Sequence, residues 1–150
     1  MSRLAFDSNV LIYAELEPAS RKGTLARRLI EDHAGCSVVA AQALGELLTV
    51  VRRRLPEAFG ECRAQVQDYI GAFSVVPTDS ELIVAAATFA ERYRLQIWDS
   101  LIWQASRKGG ATILLTEDMQ DGFAADGLRA LNPFVRPDWP TLAADLGLAP

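Results

Sequence analysis

The sequence predicts one α/β domain in which a mostly parallel sheet of four to five strands lies between two layers of helices. Short apolar runs alternate with longer segments whose apolar residues recur at helical spacing, a pattern typical of parallel sheets with right-handed crossovers. The chain has 150 residues, 50% of them apolar, which suffices for one sizeable core. It contains no repeat, linker or low-complexity tract, so we expect residues 1–150 to form a single three-layer α/β/α domain.

Five short apolar runs are the predicted strands. Their ranges are Leu4–Phe6, Cys36–Ala40, Ser74–Val76, Thr112–Leu115 and, as a last short strand, Leu128–Leu131. A short run of this kind cannot satisfy its own backbone hydrogen-bonding groups, so we expect each one to join a buried sheet. The first run lies almost at the N-terminus, and the helix-capping residues Asp7, Ser8 and Asn9 follow it directly.

Apolar residues at helical spacing predict helices between these strands. The ranges are Val10–Ala14, Thr24–His33, Gln42–Arg54, Glu57–Ala72 (one irregular helix or a pair), a helix from Thr78 to about Arg94, Leu101–Lys108 and a short helix after Asp138. Thr78 and Glu81 have the spacing of a capping box. The helix that follows them is apolar on most sides, which predicts that it is largely buried.

The charge distribution limits the classes of partner. The net charge of −4 argues against a protein that coats nucleic acid without specificity. Basic residues nevertheless occur in clusters, at Arg21-Lys22, Arg27-Arg28, Arg52-Arg53-Arg54 and Arg107-Lys108. We interpret each cluster first as a solvated helix end, with a basic rim around an acidic centre as the alternative.

Cysteine and histidine are too scarce for several kinds of catalysis. Cys36 and Cys62 have no Cys or His at zinc-ligand spacing, so we expect free thiols, and the only histidine, His33, falls in the last turn of a helix. The chain therefore offers few residues for a mechanism that needs two histidines or a Cys–His pair. With no signal-peptide pattern and no run long enough to span a bilayer, we expect a cytoplasmic protein without membrane contact.

Acidic residues recur at strand ends and helix starts. Asp7 follows the first predicted strand, Asp118 follows Thr112–Leu115, and Asp99 precedes a helix. Because parallel strands bring their carboxyl ends to one edge of a sheet, we expect Asp7 and Asp118 to share a crevice that Asp99 can also face. Taken alone, Asp7 is equally well explained as a helix N-cap.

A shared crevice of carboxylates requires a cation. Two carboxylates some 5 Å apart repel each other by roughly 3 kcal/mol at an effective dielectric constant near 20. Oxygen ligands without His or Cys select a hard ion, so Mg²⁺ or Mn²⁺ is favoured over zinc. Such an ion activates water and neutralises charge on a phosphodiester.

Several segments, taken in order, carry a resemblance. They are Phe6–Ala14 (FDSNVLIYA), the helix that contains Glu46, Ile97–Ile102 (IWDSLI), Leu114–Gly122 (LLTEDMQDG) and Asn132–Phe134 (NPF). Over nearly the whole chain this set resembles PIN-domain ribonucleases of the VapC toxin type. The resemblance implies a PIN-like fold and a metal-dependent endoribonuclease, with Mg²⁺ or Mn²⁺ as the cofactor.

The resemblance also implies a catalytic and metal-binding quartet, Asp7, Glu46, Asp99 and Asp118. Asp7 and Asp99 match the positions that hold the ion most directly. Periodicity alone places Glu46 on the surface, opposite the core stripe of its helix, whereas the resemblance turns it toward the acidic cleft. Glu117 is expected to point away from that cleft.

Three further residues match supporting positions of the family. Thr116 is the hydroxyl neighbour of the fourth acidic position, and Ser8 replaces the threonine more common in the first motif while keeping a hydroxyl. Asn9 follows it in the same motif. We expect all three to support the acidic quartet.

The partners follow from the same resemblance. The family implies an antitoxin whose C-terminal segment covers the nuclease, a homodimer, and operator DNA bound only through the antitoxin. The RNA substrate is expected to be structured, tRNA or rRNA. Tyr13 and Trp103 are candidate aromatics of the antitoxin groove, and a core position is an equally good explanation for each.

Two other functions stay open at this point. One is a fold-preserving but catalytically inactive PIN module that works only as a partner-binding or autoregulatory component, and it gains little from the sequence because all four acidic positions are filled. A phosphatase or phosphotransferase with Asp7 as nucleophile is the other alternative. That chemistry resembles a D-x-D pattern, and here Asn9 occupies the third position.

Overall fold

The computed structural model describes residues 2–149 and contains a six-stranded sheet flanked by helices. The strands are β1 Leu4–Phe6, β2 Val38–Ala40, β3 Ser74–Val76, β4 Ile113–Leu115, β5 Ala124–Ala125 and β6 Leu128–Leu131. The helices are α1 Ser8–Leu16, α2 Arg21–His33, α3 Ala41–Arg54, α4 Phe59–Ala72, α5 Ser80–Tyr93, α6 Ile97–Lys108 and α7 Trp139–Leu146. The predicted α/β class with a mostly parallel sheet is confirmed.

The sheet has the order β3-β2-β1-β4-β6-β5, and only β5 runs antiparallel to its neighbour. β1 therefore lies in the interior of the sheet, with Phe6 paired to both Val39 and Leu115. All residues of β1, β2 and β4 are buried. Strands that are buried on both faces need a helical layer on each side, as expected for an α/β/α sandwich.

The sixth strand is the part of the sheet that the sequence prediction missed. β5 has only two residues, too few to show an alternating pattern, and it pairs with β6 across a tight turn. Asp126 and Gly127 form that turn with φ values of 52° and 83°. An Asp-Gly pair is favoured where both central residues of a hairpin turn need positive φ, so this dipeptide was the available signal.

The helix α2 starts three residues before its predicted start at Thr24. Its first residue is Arg21, because the Ser20 hydroxyl accepts a hydrogen bond from the Gly23 amide at 2.9 Å and caps the helix there. The predicted end at His33 is confirmed. The apolar spacing that located α2 begins only after its first polar turn, which explains the difference.

The helix α6 also starts earlier than predicted. It begins at Ile97 with Gln96 as its N-cap, whereas the sequence pattern indicated Leu101. Asp99 therefore lies within the first turn of α6 rather than ahead of it. In that turn the free backbone amides and the helix dipole favour a negative charge.

The predicted second strand is shorter than its apolar run. Ala34–Cys36 forms a 3₁₀ turn, and the strand starts at Val38. The segment predicted as an irregular helix or a helix pair is a 3₁₀ turn, Pro56–Ala58, followed by α4. Both 3₁₀ turns lie where the chain changes direction between longer elements.

Two expectations for α5 were wrong. Its N-cap is Asp79, whose Oδ1 accepts a hydrogen bond from the Leu82 amide at 2.8 Å, so Thr78 is not the capping residue. The helix is not largely buried either, because Ile83 and Val84 are 49% and 67% exposed. Only one face of α5 packs, mainly against α6, and the buried residues on it are Leu82, Ala86 and Phe89.

Aromatic side chains fill the core where α5 meets α6. Trp103 is completely buried, and its ring stacks on Phe89 at 5.5 Å between centroids. Phe123 packs edge-on against Trp103 at 5.2 Å. The suggestion that Trp103 lines a partner groove was therefore wrong, and the alternative core position is confirmed.

Cys36 and Cys62 are free thiols, as expected, the first exposed and the second buried. Burial raises the pKa of the Cys62 thiol to about 11, so this residue is an unreactive core side chain. Among the helices of the described residues, none is both long enough and apolar enough to span a membrane.

Candidate metal site at the carboxyl edge of the sheet

Three aspartates meet where the central strands end. Asp7 follows β1, Asp118 lies just after β4, and Asp99 comes from the first turn of α6. Each offers a carboxylate oxygen, and these oxygens all lie within 4.8 Å of one another. The parallel register makes this meeting possible, because Phe6 and Leu115 are paired and the Asp7 amide donates to the Leu115 carbonyl at 3.0 Å.

Hydrogen bonds hold both oxygens of Asp7. The residue is only 3% exposed. Its Oδ1 accepts from the Ser8 amide at 2.7 Å, which is the N-cap interaction of α1. Its Oδ2 accepts from the Thr116 hydroxyl at 2.7 Å and from the Asn9 side-chain amide at 3.3 Å. Asp7 is therefore the N-cap of α1, as one interpretation predicted, and its carboxylate also lies among the acidic residues.

Asn9 and Thr116 connect Asp7 with Asp118. The Asn9 Nδ2 donates to the Asp118 Oδ2 at 3.1 Å, and the Thr116 Oγ1 accepts a hydrogen bond from the Asp118 amide at 3.1 Å. Asn9 Oδ1 also accepts from the Glu117 amide at 3.3 Å. These contacts fix the loop after β4 relative to the start of α1. The structure thus places the three predicted supporting residues, Ser8 included, in direct contact with the acidic side chains.

Glu46 borders the aspartates from α3 without joining their close group. Its Oε2 accepts a hydrogen bond from the Ser8 hydroxyl at 2.5 Å, and its Oε1 accepts from Gln42 Nε2 at 3.1 Å. The side chain is half-buried, so periodicity alone, which indicated a free surface position, described it incompletely. The Ser8 hydroxyl is the link between Glu46 and the loop that carries Asp7.

The surroundings of Asp7 and Asp99 raise the pKa of both side chains and so favour their protonated forms. Burial raises the pKa of Asp7 from 3.8 to about 7, against hydrogen bonds from Thr116 and Ser8 that lower it, and the charges of Glu46 and Asp118 raise it further. Burial also raises the pKa of Asp99, with further contributions from Asp118 and Glu46. A positive charge beside these aspartates would therefore stabilise their charged forms.

No side chain among residues 2–149 supplies that charge. None of the ion pairs within this range includes any of the four acidic residues Asp7, Glu46, Asp99 and Asp118. The carboxylate donor set, without His or Cys, suits a hard divalent ion such as Mg²⁺ or Mn²⁺. The residues present therefore fit a metal of this class.

Glu117 is oriented away from the aspartates, as expected. Its carboxylate accepts hydrogen bonds from the Tyr13 hydroxyl at 2.6 Å and from Lys22 Nζ at 2.9 Å, and Lys22 also donates to the Tyr13 hydroxyl at 3.1 Å. This cluster was not among the predicted sites. Its three members come from α1, α2 and the loop after β4, and no local pattern predicts that they meet.

An open groove adjoins the acidic site between α1 and α3, and we call it the α1–α3 groove. It has a volume of about 720 Å³, and its walls include Ile12 of α1 and Gln42, Thr49 and Val50 of α3. Ser8, Asn9, Glu46 and Asp118 also line it, so the groove opens onto the acidic residues. Tyr13 does not border it.

Comparisons with known proteins agree with this geometry. The family model described as PIN domain matches residues 4–124, a range that contains all four acidic positions. The comparison with curated protein sequences gave no significant match.

Solved structures share the fold at low sequence identity. VapC20 of Mycobacterium tuberculosis, described as a toxin that cleaves the sarcin-ricin loop, has a TM-score of 0.65 and 17% identity, with coverage of 77% of this chain and 91% of that one. A toxin–antitoxin complex from Klebsiella pneumoniae also has a TM-score of 0.65 and 17% identity, with coverage of 88% and 98%. DNA-bound VapBC from Salmonella typhimurium has a TM-score of 0.61 and 18% identity, with coverage of 87% and 97%.

Proposed function

This chain belongs to the PIN-domain family, and from that premise we propose that it is a metal-dependent endoribonuclease, the toxin of a VapBC-type toxin–antitoxin pair. Residues 1–150 then form one PIN domain. The observation that carries the proposal is the meeting of Asp7, Asp99 and Asp118, whose carboxylate oxygens lie within 4.8 Å of one another without a basic partner among the described residues. Asp7 is buried, Asp99 is half-buried and Asp118 is exposed, and carboxylates this close together are stabilised when they share a divalent cation.

The residues have distinct roles in this proposal. Asp7 and Asp99 hold Mg²⁺ or Mn²⁺ most directly, Asp118 completes the group, and Glu46 acts from the rim through its contact with Ser8. Thr116 and Asn9 keep Asp7 and Asp118 at a fixed separation, because each forms hydrogen bonds with both. A bound divalent ion supplies an activated water and neutralises charge on the phosphodiester.

The proposed reaction is hydrolysis of an RNA phosphodiester. The oxygen of water forms a bond with phosphorus, the bond from phosphorus to the 3′ oxygen breaks, and that oxygen takes up a proton. The products carry 5′-phosphate and 3′-hydroxyl ends. The alternative attack by the RNA 2′-hydroxyl relies on general acid–base groups, and the chain has a single histidine, at the end of α2.

The proposed partners are an antitoxin and a structured RNA, either tRNA or rRNA. Support for an antitoxin comes from structural neighbours that are toxin–antitoxin complexes, one of them bound to DNA. In our proposal the antitoxin covers the acidic site, and the toxin reaches operator DNA only through the antitoxin. The net charge of −4 is in keeping with a toxin that does not bind DNA by itself.

A homodimer is part of the same proposal. The exposed face of α5 carries Ile83 and Val84, which are 49% and 67% exposed, and such apolar side chains are stabilised when a second surface covers them. The helix packs on α6 through its other face and is free on this one. We therefore expect this face to contribute to the dimer contact.

An RNA cleavage assay with Mg²⁺ tests the proposed activity. The substrate is a mixture of purified tRNA and rRNA, and the proteins are the wild type, Asp7→Asn, Asp99→Asn and the matched control Asp68→Asn, which changes an exposed aspartate of α4. We expect cleavage by the wild type and the control, loss in EDTA, and loss in both site variants. Undiminished cleavage by both site variants would falsify the assignment.

Calorimetric titration with Mn²⁺ separates the enzyme from an inactive PIN module. The enzyme should bind Mn²⁺ at a site that Asp99→Asn removes. A module that lacks the activity should show no such binding, although its acidic positions are filled.

A further inference from the structure

One face of α3 continues the α1–α3 groove beyond the acidic site. Gln42, Glu46, Thr49 and Val50 line the groove, and they lie on one side of the helix because residues three or four apart are neighbours on a helical surface. The next position on this side is Arg53, one turn past Thr49 and Val50. This side of α3 therefore carries the Glu46 carboxylate at the acidic site and the Arg53 guanidinium about two turns further on.

The three arginines at the end of α3 differ in their surroundings. The Arg52 guanidinium lies 5.0 Å from the centre of the Phe59 ring, so it is engaged in a cation–π contact. At about 100° per residue, Arg52 and Arg54 project to either side of the groove line, whereas Arg53 falls within about 20° of Glu46. Arg53 is exposed and forms no ion pair with another residue of the range 2–149.

The separation of the two charges suits a nucleic acid strand. Arg53 is seven residues beyond Glu46, which corresponds to about 10 Å along the helix axis. The arginine side chain is long and flexible, so a strand with one phosphate at the acidic site can present to Arg53 a phosphate one or two nucleotides further along. Lys22, which contacts the loop after β4, is already paired with Glu117 at 2.9 Å.

We propose that the α1–α3 groove receives the RNA strand on one side of the cleaved phosphodiester, and that Arg53 binds a phosphate of that strand. The inference rests on the proposed function and assigns part of its substrate site. Guanidinium groups bind phosphate oxygens with paired hydrogen bonds, and at about 720 Å³ the groove is large enough to hold a nucleotide between the two charged ends.

The order of charges favours RNA over a peptide as the occupant. Glu46 and Asp118, which line the groove, repel an acidic segment, and they accept a phosphate only together with the divalent ion. A basic segment satisfies these carboxylates but is repelled by Arg53. An RNA strand with the metal present satisfies both ends.

Arg53→Gln tests the inference, with Arg54→Gln as the matched control, since both positions are exposed and adjacent. Cleavage of purified tRNA and rRNA is measured with Mg²⁺ at a series of KCl concentrations. We expect Arg53→Gln to raise KM about tenfold with kcat unchanged. The slope of log kcat/KM against log salt concentration should become shallower by about 0.7, because one phosphate contact is lost.

Arg54→Gln should stay within about twofold of the wild type, and Mn²⁺ affinity should be unchanged in both variants. Equal effects of the two substitutions on KM, or none from either, would overturn the inference while leaving the nuclease assignment intact. If Arg53→Gln weakens inhibition by the antitoxin but leaves KM for RNA unaltered, the groove binds a peptide and the inference is wrong. Absence of RNA cleavage by the wild-type protein would overturn the proposed function and this inference with it.

Discussion

Replacing Asp7 with Asn should stabilise the metal-free protein at pH 8 and abolish its response to divalent ions. Burial raises the pKa of Asp7 from 3.8 to about 7, so the folded state favours the protonated carboxyl. The contribution of this group to stability is complete below pH 3.8 and is lost as the pH rises to about 7. At pH 8 the metal-free protein carries a buried charge that Asn removes.

The size of the effect follows from the pKa difference. A rise of about three units corresponds to about 4 kcal/mol of unfolding free energy at pH 8. Asn keeps an acceptor for the Ser8 amide but replaces the oxygen that accepts from Thr116 and Asn9, which offsets about 1–2 kcal/mol. The net gain is about 2–3 kcal/mol, or about 5–10 °C in Tm for a chain of this length.

Thermal unfolding followed by circular dichroism measures this directly. Tm is recorded for the wild type, Asp7→Asn and the exposed-site control Asp68→Asn at pH 4 to 8 in EDTA, and again with Mn²⁺. The advantage of Asp7→Asn should shrink as the pH falls from 7 to 4, and Mn²⁺ should raise the Tm of the wild type and the control only. A lower Tm for Asp7→Asn than for the wild type at pH 8 in EDTA would refute the electrostatic reasoning, and an undiminished Mn²⁺ response in this variant would refute the metal assignment.

Four further outcomes are expected. Asp99→Asn should reduce RNA cleavage more than about 100-fold and remove the Mn²⁺-induced rise in Tm, and retention of either would contradict its place in the metal site. Glu46→Gln should lower kcat about 10- to 100-fold while part of the Mn²⁺ affinity remains, as measured by cleavage kinetics and calorimetry; an equal loss of both would make it a direct ligand. Ile83→Asp should convert the dimer to a monomer in light scattering with unchanged far-ultraviolet circular dichroism, and an intact dimer would place the contact elsewhere. Gly23→Ala should cost more than about 3 kcal/mol in urea unfolding, because a Cβ at Gly23 would lie 1.7 Å from the Glu17 carbonyl oxygen; a change below 1 kcal/mol would show that α1 and α2 can separate freely.

The sequence predicted the positions of the two aspartates that follow strands, because the geometry of a parallel sheet determines where such residues lie. Asp7 and Asp118 follow apolar runs that have no alternative to a buried parallel sheet, and parallel pairing of β1 with β4 then places both at one edge. Asp99 was assigned correctly to a helix start, although the helix begins two residues before it. Apolar periodicity locates the middle of a helix better than its first turn, where capping decides the boundary.

The pattern of apolar residues did not predict which distant segments contact each other. The hydrogen bond between Ser8 and Glu46 joins α1 to α3; helical periodicity placed Glu46 on the surface, and only the family resemblance turned it toward the site. The exposed face of α5 was also mispredicted, because composition shows that a helix is apolar but not how many neighbours cover it. In α5 only α6 packs closely, so Ile83 and Val84 stay uncovered within the described chain.

The interior position of β1 affects when the three-aspartate group can form during synthesis of the chain. β1 is made first, but one of its two neighbours in the sheet, β4, is made more than one hundred residues later. Until Ile113–Leu115 has left the ribosome, Asp7 lacks the Leu115 carbonyl, Thr116 and Asp118 as neighbours. A chain truncated before Ile113 therefore cannot assemble the three-aspartate group, and under the proposed function such a fragment should not cleave RNA.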